Sequence, residues 1–341
     1  MTESFVFKEG FDLKLNISLC SFGDKSTRKE WNDLYKNNKM LMPFSSYDFN
    51  RLFIKYFHKT KKRRNIKVLI VRVSDEKDRV RMFIPLCKHH GYYYLLWDYS
   101  SVPYCDFIYA PDVTSDEIER AVIGLSEVLG NEAVLFTKMP DYSAVTKALL
   151  GSYTPYKSHT CGDIGLLRSY DMTYRLFDKE CRENIDEARQ KIEDAGFSYS
   201  TDFYYRSAPP KRICSDISFI KYGEKRGPIR SLKNKIKEKK SPVTRALKRG
   251  VNSLVAISYI DGYPVSYLSG FVRQGKMYLY QLASTKYGVS YSANHLLLCD
   301  TVKYLIEEKK YDSIDLYRLN DKVKADFTQK YHKFYNFEIK L

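Results

Sequence analysis

Two stretches of the chain run through the same order of elements, and this repeat constrains the fold more than any other feature. In the first, Lys67–Val73 is a short β-branched run, and Val80–Leu86 and Tyr92–Trp97 follow as strands between polar turns. A helix then opens with Thr114 or Ser115 as N-cap and with Asp116 and Glu117 in its first turn, where the helix dipole favours acids. Its apolar stripe is Ile118, Val122, Leu125 and Leu129, and Gly130 stops it before a buried strand at Ala133–Phe136. In the second stretch, Ser253–Ile260 and Val265–Val272 flank Asp261-Gly262, a strong hairpin dipeptide. Gln274-Gly275 turns the chain into Met277–Leu282. A helix from about Ser292 sets Leu298, Val302, Leu305 and Ile306 on one face and Asp300, Lys303, Glu307 and Lys310 on the other, ending in Lys309-Lys310. Ser313–Leu316 is the next strand.

Three strands, a helix and a strand, twice over, is an α+β pattern and not the strict alternation of a doubly wound sheet. The chain has 341 residues, enough for two domains. The expected architecture is a tandem of two domains, residues 1–170 and 171–341, each with a mixed, largely antiparallel sheet flanked by helices. Between the repeats, Phe177, Cys181, Ile185, Ala188 and Ile192 stripe a helix that stops near Gly196. Ala208-Pro209-Pro210 breaks the chain, and basic helices are expected at Cys214–Lys225 and Ser231–Arg249.

Charge is the next constraint. Lys and Arg outnumber Asp and Glu by 57 to 41, a net +16. Between Lys221 and Gly250 twelve basic residues face only Glu224 and Glu238, and Lys59–Arg64 forms a second knot. Such segments attract phosphate, whether on a nucleotide- or lipid-linked sugar, on tRNA or on an anionic membrane surface, and a solvated helix face is the plainer alternative. The seven cysteines are scattered without a CxxC pair, so they read as reduced cytosolic thiols. The six histidines show no HExxH spacing, and no metal is expected. The N-terminal residues lack the basic and apolar regions of a signal peptide, and no run approaches the roughly 18–20 apolar residues of a membrane span. The expected location is the cytoplasm, with peripheral contact to the inner membrane face open to the basic segment.

Common catalytic signatures are missing. The chain has no GxxxxGK[ST] and no GxSxG, and Gly162-Asp163-Ile164-Gly165 lacks dinucleotide-binding spacing. What remains is the junction from Tyr280 to Leu298, a strand end, a small-residue loop and a helix start whose free N–H groups suit a pyrophosphate. Ser290, Ser292 and Asn294 can add donors there, although Ser292 can equally serve only as a helix cap.

At this point the chain resembles double-domain acyltransferases of the GNAT superfamily, close to the CelD-like family associated with cellulose biosynthesis, with an architecture like that of FemAB proteins. The resemblance rests on Trp31, on Pro43-Phe44-Ser45-Ser46-Tyr47-Asp48, on Pro103-Tyr104-Cys105-Asp106-Phe107 and on the basic helix Arg182–Gly196. It continues in Ile260-Asp261-Gly262-Tyr263-Pro264-Val265 and in Asp315-Leu316-Tyr317-Arg318 with Lys324 and Phe327. Ser292-Ala293-Asn294 stands where that family has a Ser-Pro-Gly turn, and Leu319 replaces a glycine after the strand end. The glycine signature of ordinary acetyl-CoA enzymes is also missing.

The resemblance implies an acyl-CoA co-substrate, held between an opened pair of strands with its pyrophosphate at the following helix. A base would take a proton from an amine as it attacks the thioester, and an acid, commonly Tyr, would protonate the thiolate. On that basis Asp315, Tyr280 and His295 are the catalytic candidates, with Ser290, Tyr291, Ser292, Ala293 and Asn294 at the donor. Tyr104, Asp106, Gln281, Arg318 and Lys324 are the candidates for the acceptor. Each has a structural alternative: an Asp315–Arg318 pair, His295 in the core or at a cap, core use of Tyr280, a plain turn at 104–106, and surface exposure of Lys324. Three functions follow. The first is N-acylation of an amino sugar or envelope-polysaccharide precursor. The second is FemAB-type transfer from aminoacyl-tRNA, which the basic helices would suit although no sustained heptads supply that family's coiled-coil arm. The third is a non-catalytic binding module.

Overall fold

The computed structural model describes residues 14–59, 67–89, 91–96, 102–222, 252–319 and 321–341. The helix expected at 231–249, most of the basic run, residues 60–64 and Trp97 lie outside them. The first half comprises β1 (Asn16–Cys20), α1 (Lys25–Asn37), a 3-10 turn (Pro43–Ser45), α2 (Tyr47–Lys59), β2 (Lys67–Ser74), β3 (Val80–His89), β4 (Tyr92–Leu95) and β5 (Ile108–Tyr109). It continues with α3 (Ser115–Ile123), α4 (Leu125–Leu129), β6 (Ala133–Pro140), α5 (Ala144–Ser152) and β7 (Lys157–Gly165). The second half comprises α6 (Tyr170–Tyr174), α7 (Lys179–Asp194), β8 (Tyr199–Tyr205), α8 (Lys211–Tyr222), β9 (Ser253–Ile260), β10 (Tyr263–Arg273) and β11 (Lys276–Ser284). After it come α9 (Lys286–Ser290), α10 (Ala293–Glu307), β12 (Ser313–Arg318), α11 (Lys322–Phe327) and β13 (Lys330–Lys340).

Local chemistry explains most of these elements. Thr114 and Glu117 form a capping box, Thr114 Oγ1 accepting from the Glu117 N–H at 3.2 Å and Glu117 Oε2 from the Thr114 N–H at 2.8 Å. Asp261 and Gly262 turn the β9–β10 hairpin with φ of 49° and 73°, the pair of positive angles that matches strand twist. Three expectations are corrected at their ends. The helix after Thr114 divides at Gly124, where an added Cβ would lie 2.1 Å from Ile17 Cδ1 of β1. The helix at 292 begins at Ala293 and stops at Glu307, so Lys309-Lys310 lie past its end, with Lys309 at φ 50°. The helix at 214–225 occupies Lys211–Tyr222 among the described residues.

Among the described residues thirteen strands join one sheet in the order β1-β2-β3-β4-β6-β13-β7-β12-β11-β10-β9-β8, with β5 on β3. The sheet is mostly antiparallel. Its two parallel pairs, β4 with β6 and β11 with β12, occupy equivalent places in the two halves. Read inward from either edge, both halves give four strands in antiparallel succession and then a parallel neighbour. At the centre the last strands are exchanged: β13 of the second half pairs with β6, and β7 of the first half pairs with β12. β7 and β13 also pair with each other, so the halves share a continuous ladder.

A second seam lies on one face of this sheet. Phe44 packs edge-on against Phe271 and Tyr278, at 5.4 and 6.0 Å between ring centroids, and Phe49 meets Phe271 at 5.3 Å. Trp31 supports this wedge by donating from Nε1 to Ser45 O at 2.9 Å. Arg273, at the β10–β11 turn, donates to Leu41 O at 2.6 Å, to Asn38 O at 3.0 Å and to Tyr35 O, and its guanidinium lies 3.6 Å from the Tyr35 ring centroid. The carbonyls at the end of α1 are thereby satisfied by a side chain from the other half.

Phe337 of β13 is fully buried opposite Phe136 of β6. Phe337→Ala should cost about 3–5 kcal/mol. In urea, tryptophan fluorescence and far-UV circular dichroism should shift together; a two-step transition with only one half affected would contradict the shared ladder.

Candidate functional site

The parallel strands β11 and β12 part company soon after they meet. Their register is Lys276 with Ser313, Met277 with Ile314 and Tyr278 with Asp315; β11 then follows β10 to Ser284 while β12 follows β7 to Arg318. Burial changes at the same point, from buried Met277–Leu279 to half-buried Tyr280–Ser284. The β10–β11 ladder skips a residue here: Ser269 faces Gln281 and Gly270 faces Leu279, leaving Tyr280 as a bulge. Beyond the fork Thr285 caps α9 by accepting from the Gly288 N–H at 2.9 Å. Gly288 lies so close to β10 that a Cβ would be 2.5 Å from Val265 O and 2.3 Å from Ser284 Oγ, so a larger residue would push α9 off the strand.

The matching gap in the first half is filled. β4 pairs with β6 only at Tyr93–Val134 and Tyr94–Leu135, and the chain then returns along β6, where Cys105 N–H donates to Lys138 O at 3.1 Å. This returning segment carries Tyr104, fully buried, across to the second half. Its hydroxyl donates to Asp315 Oδ1 at 2.7 Å and lies 2.8 Å from His332 Nε2.

Around that contact, at the apex of the fork, four ionisable side chains from four strands converge. Lys276 Nζ lies 3.0 Å from Asp163 Oδ2 and 3.4 Å from Asp315 Oδ2, while His332 Nε2 is 3.4 Å from Asp315 Oδ2 and its Nδ1 is 3.7 Å from Asp163 Oδ1. Burial pushes the Asp315 carboxyl up, but the His332 contact and the Lys276 charge outweigh it and hold Asp315 below its ordinary value. Burial and then the Asp315 charge leave Asp163 above its own. For His332, burial would lower the value, but the contact with Asp315 and the charges of both carboxylates raise it to about 10. An imidazolium can donate to the Tyr104 oxygen while Tyr104 donates to Asp315, a consistent relay.

Asp163, Asp315 and His332 offer ligand atoms within 4.8 Å of one another, a donor set that a divalent ion can use. The fit is poor for an added cation, because Lys276 already stands between the carboxylates and His332 is held protonated.

The structure distributes the sequence candidates unevenly. Asp315 and Tyr104 meet directly, and Asp315 pairs with Lys276 and His332 instead of Arg318. Arg318 rests on the rings of Phe334 and Tyr317. Lys324 is largely buried, 3.7 Å from Asp321. Tyr280 packs near Phe271, and Gln281 Oε1 accepts from the Tyr267 hydroxyl at 2.6 Å. Asp106 is buried beside Phe107 N–H at 2.9 Å, and burial pushes its carboxyl up to about 7.

The donor-loop candidates lie at the start of α10. Ser292 is the N-cap residue in left-handed conformation, φ 49°, with no side-chain cap bond. Asn294 points inward, its Oδ1 accepting from Ser266 Oγ at 2.6 Å, and Ala293 is buried. Ser290 O accepts from Lys191 Nζ at 2.7 Å, and Tyr291 packs against Tyr287 and Phe197. His295 is buried, with Nε2 2.9 Å from Asp326 Oδ2. Lys276, His332 and Asp163 were not singled out by the sequence reading; the one local signal was an Asp beside the apolar residues Cys161 and Ile164.

No protein-family model matches the chain, and no curated protein sequence does. Solved structures do resemble it. FemX superposes with a TM-score of 0.59 at 10% identity, over 92% of this chain and 96% of FemX. A tandem GNAT protein from the clavulanic acid biosynthesis pathway gives 0.56 at 12% identity, over 96% and 98%. L-PGS from Bacillus licheniformis gives 0.50 at 10% identity, over 92% and 91%.

The raised pKa of His332 has a testable sign. Its folded value lies above the ordinary 6.5, so its stabilisation is complete below about pH 6.5 and is lost as pH climbs through about 10. Between pH 7 and 10 the wild type should lose on the order of 3–4 kcal/mol more unfolding free energy than His332→Gln. Equal losses in urea titrations would show that His332 is not held as the cation. The fold, an α+β tandem of GNAT-like halves around one mostly antiparallel sheet, is the fold of these structures.

Proposed function

We propose that the chain is an acyltransferase that moves an acyl group from CoA to an amino group on an amino sugar or other envelope-polysaccharide precursor, as in the CelD-like family. The observation that carries this reading is the fork between β11 and β12, which no described residue bridges in the second half, whereas residues 102–107 run along β6 at its first-half counterpart. A thioester arm lying in the fork would run along the part of β11 beyond Tyr278 that is not paired with β12 among the described residues, beside the Tyr280 bulge. Backbone N–H groups aimed at a carbonyl are what stabilises an oxyanion. The start of α10, with Ser290–Asn294, would face the pyrophosphate.

Within this reading Asp315 is a positioning residue. A fully buried carboxylate held below its ordinary pKa is a weak base, but it fixes the Tyr104 hydroxyl and the His332 ring. Tyr280, half-buried at the bulge, is the candidate acid for the leaving thiolate. The Asp326 contact gives His295 an anchoring role. Residues 1–170 would mainly frame the acceptor side, through Tyr104 and Asp106, and residues 171–341 would hold the donor.

Transfer from aminoacyl-tRNA, FemAB-style, is the second reading. It is favoured by the net charge of +16 and by the basic run 221–250, which could equally touch an anionic membrane face. Calorimetric titration with acetyl-CoA and a longer acyl-CoA at low and moderate salt separates the two. Saturable binding that survives moderate salt supports the first reading. Loss of binding with salt, together with tight binding of aminoacyl-tRNA, supports the second, and no donor binding at all leaves a non-catalytic module. Asp315→Asn should cut CoA release with a responsive amino sugar by more than about tenfold while leaving donor affinity within about twofold. Full activity in that variant would remove Asp315 from the site.

A further inference from the structure

Building on the acyltransferase reading, we propose that Arg318 and Lys324, at the open end of the fork, form a binding site for an oxyanion, a carboxylate or phosphate carried by the acyl acceptor. Charge balance leads to this conclusion. At the apex, Asp163 and Asp315 are matched by Lys276 and His332. At the end of β12 the balance fails. The Arg318 guanidinium lies 5.0 Å from the Phe334 ring centroid and 5.6 Å from that of Tyr317, and its Nε is buried without a hydrogen-bond partner among the described residues. A planar donor fork fixed on aromatic rings with an N–H unspent is preorganised for a planar or tetrahedral oxyanion.

Lys324 adds a second cation at the same end. Its side chain is only 12% exposed, and its nearest carboxylate, Asp321, is 3.7 Å away and half-exposed. Asp321 is also engaged as the cap of α11, accepting from the Lys324 N–H at 3.0 Å. Burial draws the Lys324 amine down, partly offset by the Asp321 carboxylate. Cys161 of β7 is the register partner of Arg318, and the end of α11, the helix that carries Lys324, lies over the neighbouring Gly162, where an added Cβ would be 2.3 Å from Thr328 Oγ1.

His159 lies two residues along β7 and reports the resulting field. Its ring is 4.8 Å from Phe334, the ring that supports Arg318, and burial followed by the charges of Arg318 and Lys157 lowers its pKa. An anion seated on Arg318 would cancel part of that charge and let His159 hold its proton more tightly. Among the described residues, His159 therefore provides a readout that a purely structural arginine would not move.

The test is an NMR titration of His159 in the full chain, assigned with His159→Gln, with inorganic phosphate and acetate added at constant ionic strength. Either anion should raise the His159 pKa by about half a unit or more. Arg318→Gln should raise it without any anion and remove the further response. Arg318→Gln and Lys324→Met should each weaken phosphate binding about 10- to 100-fold. Arg79→Gln, which removes an equal charge from the β2–β3 turn, should change nothing. Thermal denaturation checks that the variants fold, and Arg318→Lys, which keeps the charge, should retain part of the response. An unmoved His159 in the wild type, or a response that persists in both variants, overturns the site. If Arg318→Gln weakens acetyl-CoA as much as phosphate, the anion belongs to the donor and the assignment to the acceptor falls. If phosphate acts as expected but acetyl-CoA does not bind, the oxyanion site stands and the CoA-dependent reading fails.

Discussion

Two carboxylates sharing a space in the middle of a sheet are tolerable only if cations of the same chain share it with them. Asp315 is fully buried and Asp163 partly so, and removing one partner of a buried charge such as Asp315 typically costs about 3–5 kcal/mol. The cations come from β11 and β13, the carboxylates from β7 and β12, and the Tyr104 hydroxyl from a loop of the first half. The exchange of β7 and β13 is what brings them together. Had each half kept its own last strand, Asp163 would lie beside β6, and Lys276 would face Asp315 alone. Topology and electrostatics therefore depend on each other at this point in the molecule.

The duplication has been used unequally. Both halves open a fork between parallel strands, yet the first closes it with its own residues 102–107 and sends Tyr104 to support the second. The wedge of Phe44 and Phe49, with Arg273 satisfying the end of α1, keeps the supporting half at a fixed angle. An aromatic wedge and a half-buried, hydrogen-bonded guanidinium resist sliding more than a flat apolar contact would, because hydrogen bonds impose direction.

Much of this was legible locally. The hairpin dipeptides, the Thr114–Glu117 box and the repeated strand–helix order are short-range signals, and they predicted elements that the structure contains. The motif at 43–48 was recognised, although nothing in it announced a role between the halves. The strands β7 and β13 were not found, since pairing partners more than a hundred residues apart leave no mark on a local pattern. Asp315 and Tyr104 stood out only through a resemblance. Lys276, His332 and Asp163 did not, because an ion cluster assembled from four strands has no spacing to read.

The strand exchange also orders events during synthesis. β13 follows every other described strand, yet it completes the sheet of the half that is made first. While the ribosome is still translating the second half, β6 presents its backbone groups and the apolar side chains Val134 and Phe136 to a nascent chain that cannot yet cover them. β7 meanwhile waits for β12. A bare edge kept for some 200 residues of elongation, at roughly 5–20 residues per second, is exposed for 10 s or more, long enough for a neighbouring nascent chain to pair with it. The interlock that fixes the finished molecule thus leaves an edge of its first half uncovered until β13 arrives.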